Sequence, residues 1–202
     1  MLKDFNKRLF DLGLSSIFLL LFSWLILVLW VIASFSTHSN GFYSQLRIGR
    51  HGRPFRLIKI KTMIDSENSK TSSITALELN RITKVGAWIR KFKLDELPQL
   101  LNIFLGEMSF VGPRPDVPGY ADKLNGHDRL ILELRPGITG PASIKYRKEE
   151  EMLAACECPE KYNDEIIWPD KVKINLDYYS NHSLSGDIKL ILSTIALSFS
   201  SR

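Results

Sequence analysis

A chain of 202 residues is long enough for one hydrophobic core, and with an N-terminal apolar segment set aside roughly 160 residues remain for a single globular domain. The formal charge of +5 favours anionic partners, whether nucleic acid, lipid headgroups or a phosphorylated substrate, without choosing among them. The two cysteines, Cys156 and Cys158, stand too close together to staple a fold and lack a second ligand pair at zinc spacing, so they read as free thiols in a reducing cytoplasm.

From Leu12 to Phe35 the chain carries no charge and is dominated by Leu, Ile, Phe, Val and Trp, enough helix to cross a hydrocarbon core about 30 Å thick. A secretory signal peptide fits poorly. Asp4 and Asp11 interrupt its basic start, the apolar run is long, and no small-residue cleavage site follows before Ser44. Basic residues flank both ends, with Lys3, Lys7 and Arg8 before the run and Arg47, Arg50, Arg53, Arg56, Lys59 and Lys61 after it. The positive-inside rule penalises a simple span in either orientation, whereas a helix that bends in the membrane and returns to the same face satisfies both flanks. Ser23 can hydrogen-bond back to the preceding turn and loosen the helix there, but the run contains no proline. The residues alone leave spanning and re-entrant topologies open.

After Gly41, Phe42 to Arg47 and Phe55 to Met63 read as two short strands around a turn at Arg50, His51 and Gly52, a basic hairpin whose arginines mostly serve as a cationic face against anionic lipid. Residues 65–73 are polar and Ser-rich, the composition of a mobile loop. Ile82, Val85, Ile89 and Phe92 recur at intervals of three and four and predict an amphipathic helix carrying Arg81, Lys84, Arg90 and Lys91 on its other positions. A second helix takes Leu97, Leu100, Leu101, Phe104 and Leu105 on one face and stops at Gly106. Asp95 and Glu96 fall at its start, and Pro98 fits within its first turn, where no N–H is needed.

Farther on, Ser109-Phe110-Val111-Gly112-Pro113-Arg114-Pro115 holds Arg114 between two prolines. Arg135-Pro136-Gly137-Ile138-Thr139-Gly140-Pro141 is a second rigid loop, followed by Lys145, Arg147 and Lys148. Glu149 to Glu151 begin a short helix that reads as a charged solvent face; 170–181 forms another, and Ile188, Leu192 and Ile195 mark a last one apolar enough to lie on protein or membrane. The elements predict an α+β fold: a membrane helix over 1–40, and a small, mainly helical domain over 41–202 carrying a β-hairpin and amphipathic interfacial helices.

Two adjacent carboxylates at a helix start have a plain explanation, because Asp caps helices and Glu suits the first turn. A cap, however, has no need of a basic preceding helix, a proline-clamped Arg114 and a second basic loop. Together these describe a phosphate site, in which a carboxylate can attack phosphorus once cations offset the repulsion, Mg²⁺ being the hard cation that takes carboxylate and phosphate oxygens together. Walker A, kinase and dinucleotide-binding motifs are absent, as are a nucleophile elbow and metal-ligand spacing among the histidines.

An apolar N-terminal segment, Lys59-Ile60-Lys61-Thr62-Met63, Leu94-Asp95-Glu96-Leu97-Pro98-Gln99 and the two proline loops occur in that order. With them the chain resembles the bacterial sugar transferases known as small monotopic phosphoglycosyl transferases, from its N-terminus to about Gly140 and again at Asp177-Tyr178-Tyr179. The resemblance implies that Asp95 attacks the β-phosphate of a UDP-sugar, releases UMP and holds the phosphosugar covalently until polyprenyl (undecaprenyl) phosphate takes it, a first membrane step of glycoconjugate assembly. Glu96 would assist as base or metal-site partner, Mg²⁺ would bridge Asp95 and the diphosphate, and Lys59, Arg90 and Arg114 would steady phosphate charge. Arg135 and Thr139 of the second loop are further candidate substrate-binding residues.

The same resemblance implies a re-entrant helix, with the catalytic domain at the cytoplasmic face of the bacterial inner membrane. Members commonly carry Ser-Pro at the membrane bend, where this chain has Ser23-Trp24, and a Trp-Ala-Gln stretch where it has Pro141-Ala142-Ser143-Ile144. Two readings of other classes compete. One is a catalytically silent module on the membrane surface, with Asp95 only a cap. The other is a nucleic-acid binder, for which no recognised motif is present.

Overall fold

The computed structural model describes residues 2–65 and 81–200, with side chains from 4 to 197 within those ranges, so that most of the expected Ser-rich loop at 65–73 lies outside the described residues. Helix α1 (Leu2–Thr37) is uninterrupted over 36 residues, about 54 Å at 1.5 Å per residue. Its stretch Asp4–Thr37 is long and apolar enough to cross a membrane, and only 17% of the most apolar window is buried inside the protein. Ser23 Oγ does bond back to the Leu20 carbonyl at 3.4 Å, but the helix continues through it.

Both ends of α1 dock on the domain that follows. Near the N-terminus, Arg8 donates to the carbonyls of Ile103 and Phe104 (2.6 and 2.8 Å), and Asp11, 1% exposed, accepts from the Phe110 N–H at 3.2 Å. Lys7 is ion-paired with buried Asp187, which also accepts from the Tyr178 hydroxyl at 2.5 Å. Phe10 and Phe18 pack edge-on against Phe110. At the other end, Leu29 and Ala33 bury against Ile60 and Ile89, and Ser36 bonds Thr83. The chain reverses at Gly41, where a Cβ would lie 2.1 Å from the Trp30 carbonyl oxygen.

Strands β1 (Phe42–Ile48) and β2 (Pro54–Ile60) form the expected antiparallel hairpin, with Phe42 opposite Ile60 and Ile48 opposite Pro54. The turn needs left-handed backbone at His51 and Gly52 (φ 60° and 75°), which glycine adopts without strain. Strand β2 ends three residues before the expected Met63. The Lys61 N–H turns to the Gly41 carbonyl, and Met63 bridges Ile82 instead.

Helix α2 (Lys84–Lys91) is capped by Thr83, whose hydroxyl accepts from the Gly86 N–H at 2.8 Å. It crosses so close to Thr62 that a Cβ on Gly86 would meet the Thr62 carbonyl oxygen at 2.2 Å. Helix α3 (Gln99–Leu105) starts later than the apolar spacing predicts, with Pro98 as its cap and Gly106 (φ 88°) closing it. Fully buried Asn102 on α3 ties it to β2, donating to the Arg56 carbonyl and accepting from the Ile58 N–H. Losing one such buried pairing costs about 1–3 kcal/mol through the unsatisfied partner left behind.

The two proline loops pair with each other. Strand β3 (Ser109–Val111) runs parallel to β4 (Gly137–Thr139), with Ser109 opposite Gly137 and Val111 opposite Thr139. Backbone meets backbone here, since a Cβ on Gly112 or Gly137 would stand 2.2 Å from the Arg135 carbonyl oxygen or the Gly112 nitrogen. Around this pair close Phe55, Leu57, Leu100, Ile103, Met108 and Tyr178, at about 1.5–3 kcal/mol for each large apolar side chain removed from water.

Between β3 and β4 lie 3₁₀ segments Ala121–Lys123 and Gly126–Glu133, and after β4 come α4 (Pro141–Lys145), α5 (Glu149–Ala154), α6 (Pro159–Tyr162), a π-turn over Asn163–Ile167, α7 (Trp168–Asn181) and α8 (Leu184–Ser200). Leu153 of α5 packs on Ile167 of the π-turn, and Lys171 of α7 bonds Glu149 of α5. Exposed Leu184, Ile188, Leu192 and Ile195 on α8, Trp88 on α2 and Leu105 on α3 add apolar surface beyond that of α1.

Candidate active site

Lys93 adopts left-handed backbone (φ 56°) and turns the chain sharply into a single 3₁₀ turn, Leu94–Glu96. Asp95 and Glu96 therefore sit one turn ahead of α3, and neither side chain caps a helix. Asp95 is 7% exposed, and its Oδ1 is buried with no hydrogen-bond partner. Glu96 Oε1 accepts from Lys59 Nζ at 3.3 Å and from Arg114 Nη2 at 3.0 Å. Strand β2 delivers Lys59, and the proline-clamped turn after β3 delivers Arg114.

These environments push the two carboxyls apart. Burial and then the adjacent Glu96 charge raise the Asp95 carboxyl, against the pull of Lys59, Lys93 and Arg90. Burial alone would raise Glu96 too, but Arg114, Lys59 and Lys93 outweigh it and hold that carboxyl well below its usual range. Desolvation lowers the Lys59 ammonium, partly offset by Glu96. Glu96 thus gathers two cations that favour its charged form, while Asp95 keeps an oxygen free beside them. Adjacent carboxyls displaced in opposite directions are a mark of acid–base or nucleophilic chemistry.

Of the residues expected from the sequence, Asp95, Glu96, Lys59 and Arg114 come together. Arg90 reaches Asp95 only through space, from the last turn of α2. Arg135 and Thr139 are not brought to the carboxylates. The Arg135 Nε donates to the Gly106 carbonyl at 2.9 Å, near Arg8 and Arg50, and the Thr139 hydroxyl bonds Thr194 of α8 at 2.6 Å. Their side chains tie the second loop to the end of α3 and to α8.

Other residues stand nearer than the sequence reading placed them. Arg47, taken there with the lipid-facing arginines, donates to the Pro115 carbonyl (3.1 Å) and to Gln45 Oε1 (2.6 Å). A signal for it existed: in the hairpin register Arg47, Gln45 and Tyr43 lie opposite Phe55, Leu57 and Lys59, so alternation puts Arg47 on the face of Lys59. Asp116, beside Arg47 and Lys171, is pushed by burial up to about 6. Glu149, expected as solvent face, instead accepts two bonds from Lys171 (2.7 and 2.6 Å) and acts electrostatically on Asp116 and Arg114.

No group of three or more His, Cys, Asp or Glu suited to a metal ion exists among the described residues. The unpartnered Asp95 oxygen nevertheless fits a single carboxylate ligand to Mg²⁺, which commonly takes only one or two carboxylates and completes its shell with phosphate and water.

Comparison with known proteins places the chain in a family. The family model described as bacterial sugar transferase matches residues 2–201. The chain is 35% identical over 189 residues to the uncharacterised sugar transferase EpsL of Bacillus subtilis, across 94% of this chain and 85% of that protein. It is 33% identical over 204 residues to the exopolysaccharide production protein ExoY of Rhizobium meliloti, across 94% and 83%. To the UDP-glucose:undecaprenyl-phosphate glucose-1-phosphate transferase of Escherichia coli it is 32% identical over 198 residues, across 96% of this chain but 40% of that longer protein. The chain therefore belongs to the bacterial sugar transferase family and is a phosphoglycosyl transferase.

Proposed function

We propose that this enzyme transfers a phosphosugar from a UDP-sugar to undecaprenyl phosphate through a covalent intermediate on Asp95. The observation that carries the reading is the buried, unpartnered Asp95 oxygen beside a Glu96 carboxylate that holds Lys59 and Arg114. The activity for which the E. coli relative is named supports the substrate classes. In the first half-reaction an Asp95 oxygen bonds to the sugar-bearing phosphorus, the bond from that phosphorus to the nucleotide oxygen breaks, and UMP leaves. In the second, a phosphate oxygen of the acceptor attacks the same phosphorus and releases Asp95 as a carboxylate. Lys59 and Arg114 offset the negative charge that otherwise repels a carboxylate nucleophile. Asp95 would hold magnesium, which would supply further charge neutralisation.

Purified full-length protein given UDP-sugars and Mg²⁺ without acceptor is expected to release one equivalent of UMP and to gain the mass of one phosphosugar. Added undecaprenyl phosphate then restores turnover. UMP release that requires the acceptor, with no mass gain, would rule out the two-step route. UDP-glucose is the first donor to try, with a panel of others beside it to identify the sugar.

For the membrane helix we infer that both ends stay at the cytoplasmic face of the inner membrane, as a re-entrant path requires, although α1 runs unbroken through Ser23. Support comes from the docking of both ends of α1 on one domain, through Arg8 and Asp11 at one end and Leu29, Ala33 and Ser36 at the other. A straight span would place those ends on opposite sides of the bilayer. With Cys156 and Cys158 replaced by Ser, single cysteines at Leu2→Cys and Lys161→Cys should label from the same side in intact cells. Labelling from opposite sides refutes the inference.

A further inference from the structure

Beside Glu96 lies a small concavity walled by Arg47, Lys59, Arg114, Gln99 and Pro115. Three cationic side chains converge on it and act on one another: Arg114 and Lys59 repel, as do Arg47 and both of these. The carboxylates acting on them are Asp95, Glu96, Asp116 and Glu149. Glu96 is shared by Lys59 and Arg114, while Asp116, near Arg47, is shared with Lys171. The guanidinium of Arg47 is clamped by its two terminal nitrogens on Pro115 and Gln45, and its Nε is buried with no hydrogen-bond partner. An arginine does not shed its proton, so this N–H remains a fixed donor in a cationic wall.

The charges also have an order along the concavity. Glu96, next in the chain to Asp95, bonds both Lys59 and Arg114, and Arg47 donates to the carbonyl of Pro115, the residue after Arg114. In that sequence of contacts Asp95 adjoins Glu96 just outside the concavity, Lys59 and Arg114 follow on its wall, and Arg47 comes last. A diphosphate whose transferred phosphorus lies over Asp95 extends its other phosphate toward Arg47. Resting on the donor chemistry proposed above, we propose that Arg47 binds the phosphate that stays with the nucleoside and departs as the nucleoside monophosphate. Its fork geometry suits phosphate oxygens better than a lysine ammonium would.

Under this assignment Arg47 serves the first half-reaction and not the second. In full-length Arg47→Gln, UMP release from UDP-sugar without acceptor should fall about 100-fold, and inhibition by added UMP should weaken about tenfold. Enzyme loaded by long incubation with donor and then freed of nucleotide should discharge to undecaprenyl phosphate within about twofold of the parent, because the leaving phosphate is already gone. An equal fall in both half-reactions, or unchanged UMP inhibition, overturns the proposal and leaves Arg47 a structural tie for the Pro115 turn. Arg47→Lys is the second variant should Arg47→Gln not fold; it keeps the charge, loses the fork, and must show the same split in weaker form. If the parent never becomes loaded, the covalent reading is what fails. Equilibrium binding of UMP to the parent and both variants then still decides the role of Arg47, with equal affinities refuting it.

Discussion

Asp95→Asn is expected to abolish the phosphosugar adduct and to lower UMP release in the absence of acceptor by at least about 10³-fold, roughly 4 kcal/mol of transition-state free energy. The substitution preserves shape and polarity while removing the only charge that can act as the nucleophile at this position. No helix cap is lost, because the Asp95 side chain caps nothing. Removing a buried carboxylate whose ionisation is disfavoured by burial and by Glu96 should leave the fold at least as stable at pH 7. Loss of activity together with an unchanged or higher melting temperature therefore separates a chemical role from a structural one. Intact-mass measurement and UMP assay on the same preparation give the result. Parental rates of UMP release in Asp95→Asn would overturn the assignment, and an adduct of normal mass on the variant would move the nucleophile to another residue.

Glu96→Gln should be the next most damaging change, costing about 10²-fold in activity. It should also cost stability, although less than the roughly 3–5 kcal/mol seen when a fully buried pair is broken, because the Arg114 side chain is 49% exposed. Two effects of the substitution oppose each other. Without the Glu96 charge, Asp95 ionises more readily, which on its own would favour attack. Lys59 and Arg114, however, lose their common acceptor and repel each other. A net fall in activity means that Glu96 acts by holding the cations and not by tuning Asp95.

The pH dependence of stability follows from the lowered Glu96 carboxyl. A carboxyl lower in the folded than in the unfolded chain contributes stability that is full above its ordinary value of 4.5 and fades as pH falls below it. The gap in melting temperature between parent and Glu96→Gln should therefore be widest near neutral pH and shrink from about pH 5 downward. A gap that is constant with pH would show that the Lys59–Glu96–Arg114 contact contributes little to the folded state.

Much of the architecture could be read along the chain. The apolar length of α1, the hairpin turn at Arg50 to Gly52, the three-and-four spacing of α2 and the stop at Gly106 are local signals, each set by neighbours within a turn or two. Local signals fared less well where distant backbone competes. Strand β2 stops at Ile60 because Lys61 bonds Gly41 and α2 covers Thr62, and the turn carrying Asp95 departs from α-helix because Lys93 takes left-handed backbone.

In the site the division is sharper. Asp95, Glu96 and Arg114 were conspicuous as an acidic pair and a proline-clamped arginine, since charge and rigidity are properties of short segments. Their meeting with Lys59, and the separation of Arg135 and Thr139 from them, depend on which strand lies beside which. Glycines at 112 and 137 let two loops touch backbone to backbone, a contact that no spacing along the chain encodes. Arg47 and Glu149 look like surface charge in one dimension and become parts of the site's surroundings only once the hairpin register and the packing of α5 on α7 are set. Residue chemistry by itself determined that the chain could handle phosphate beside a membrane. Tertiary structure decided which charges meet, because the energy of an ion pair depends on its distance and desolvation in space and not on separation along the chain.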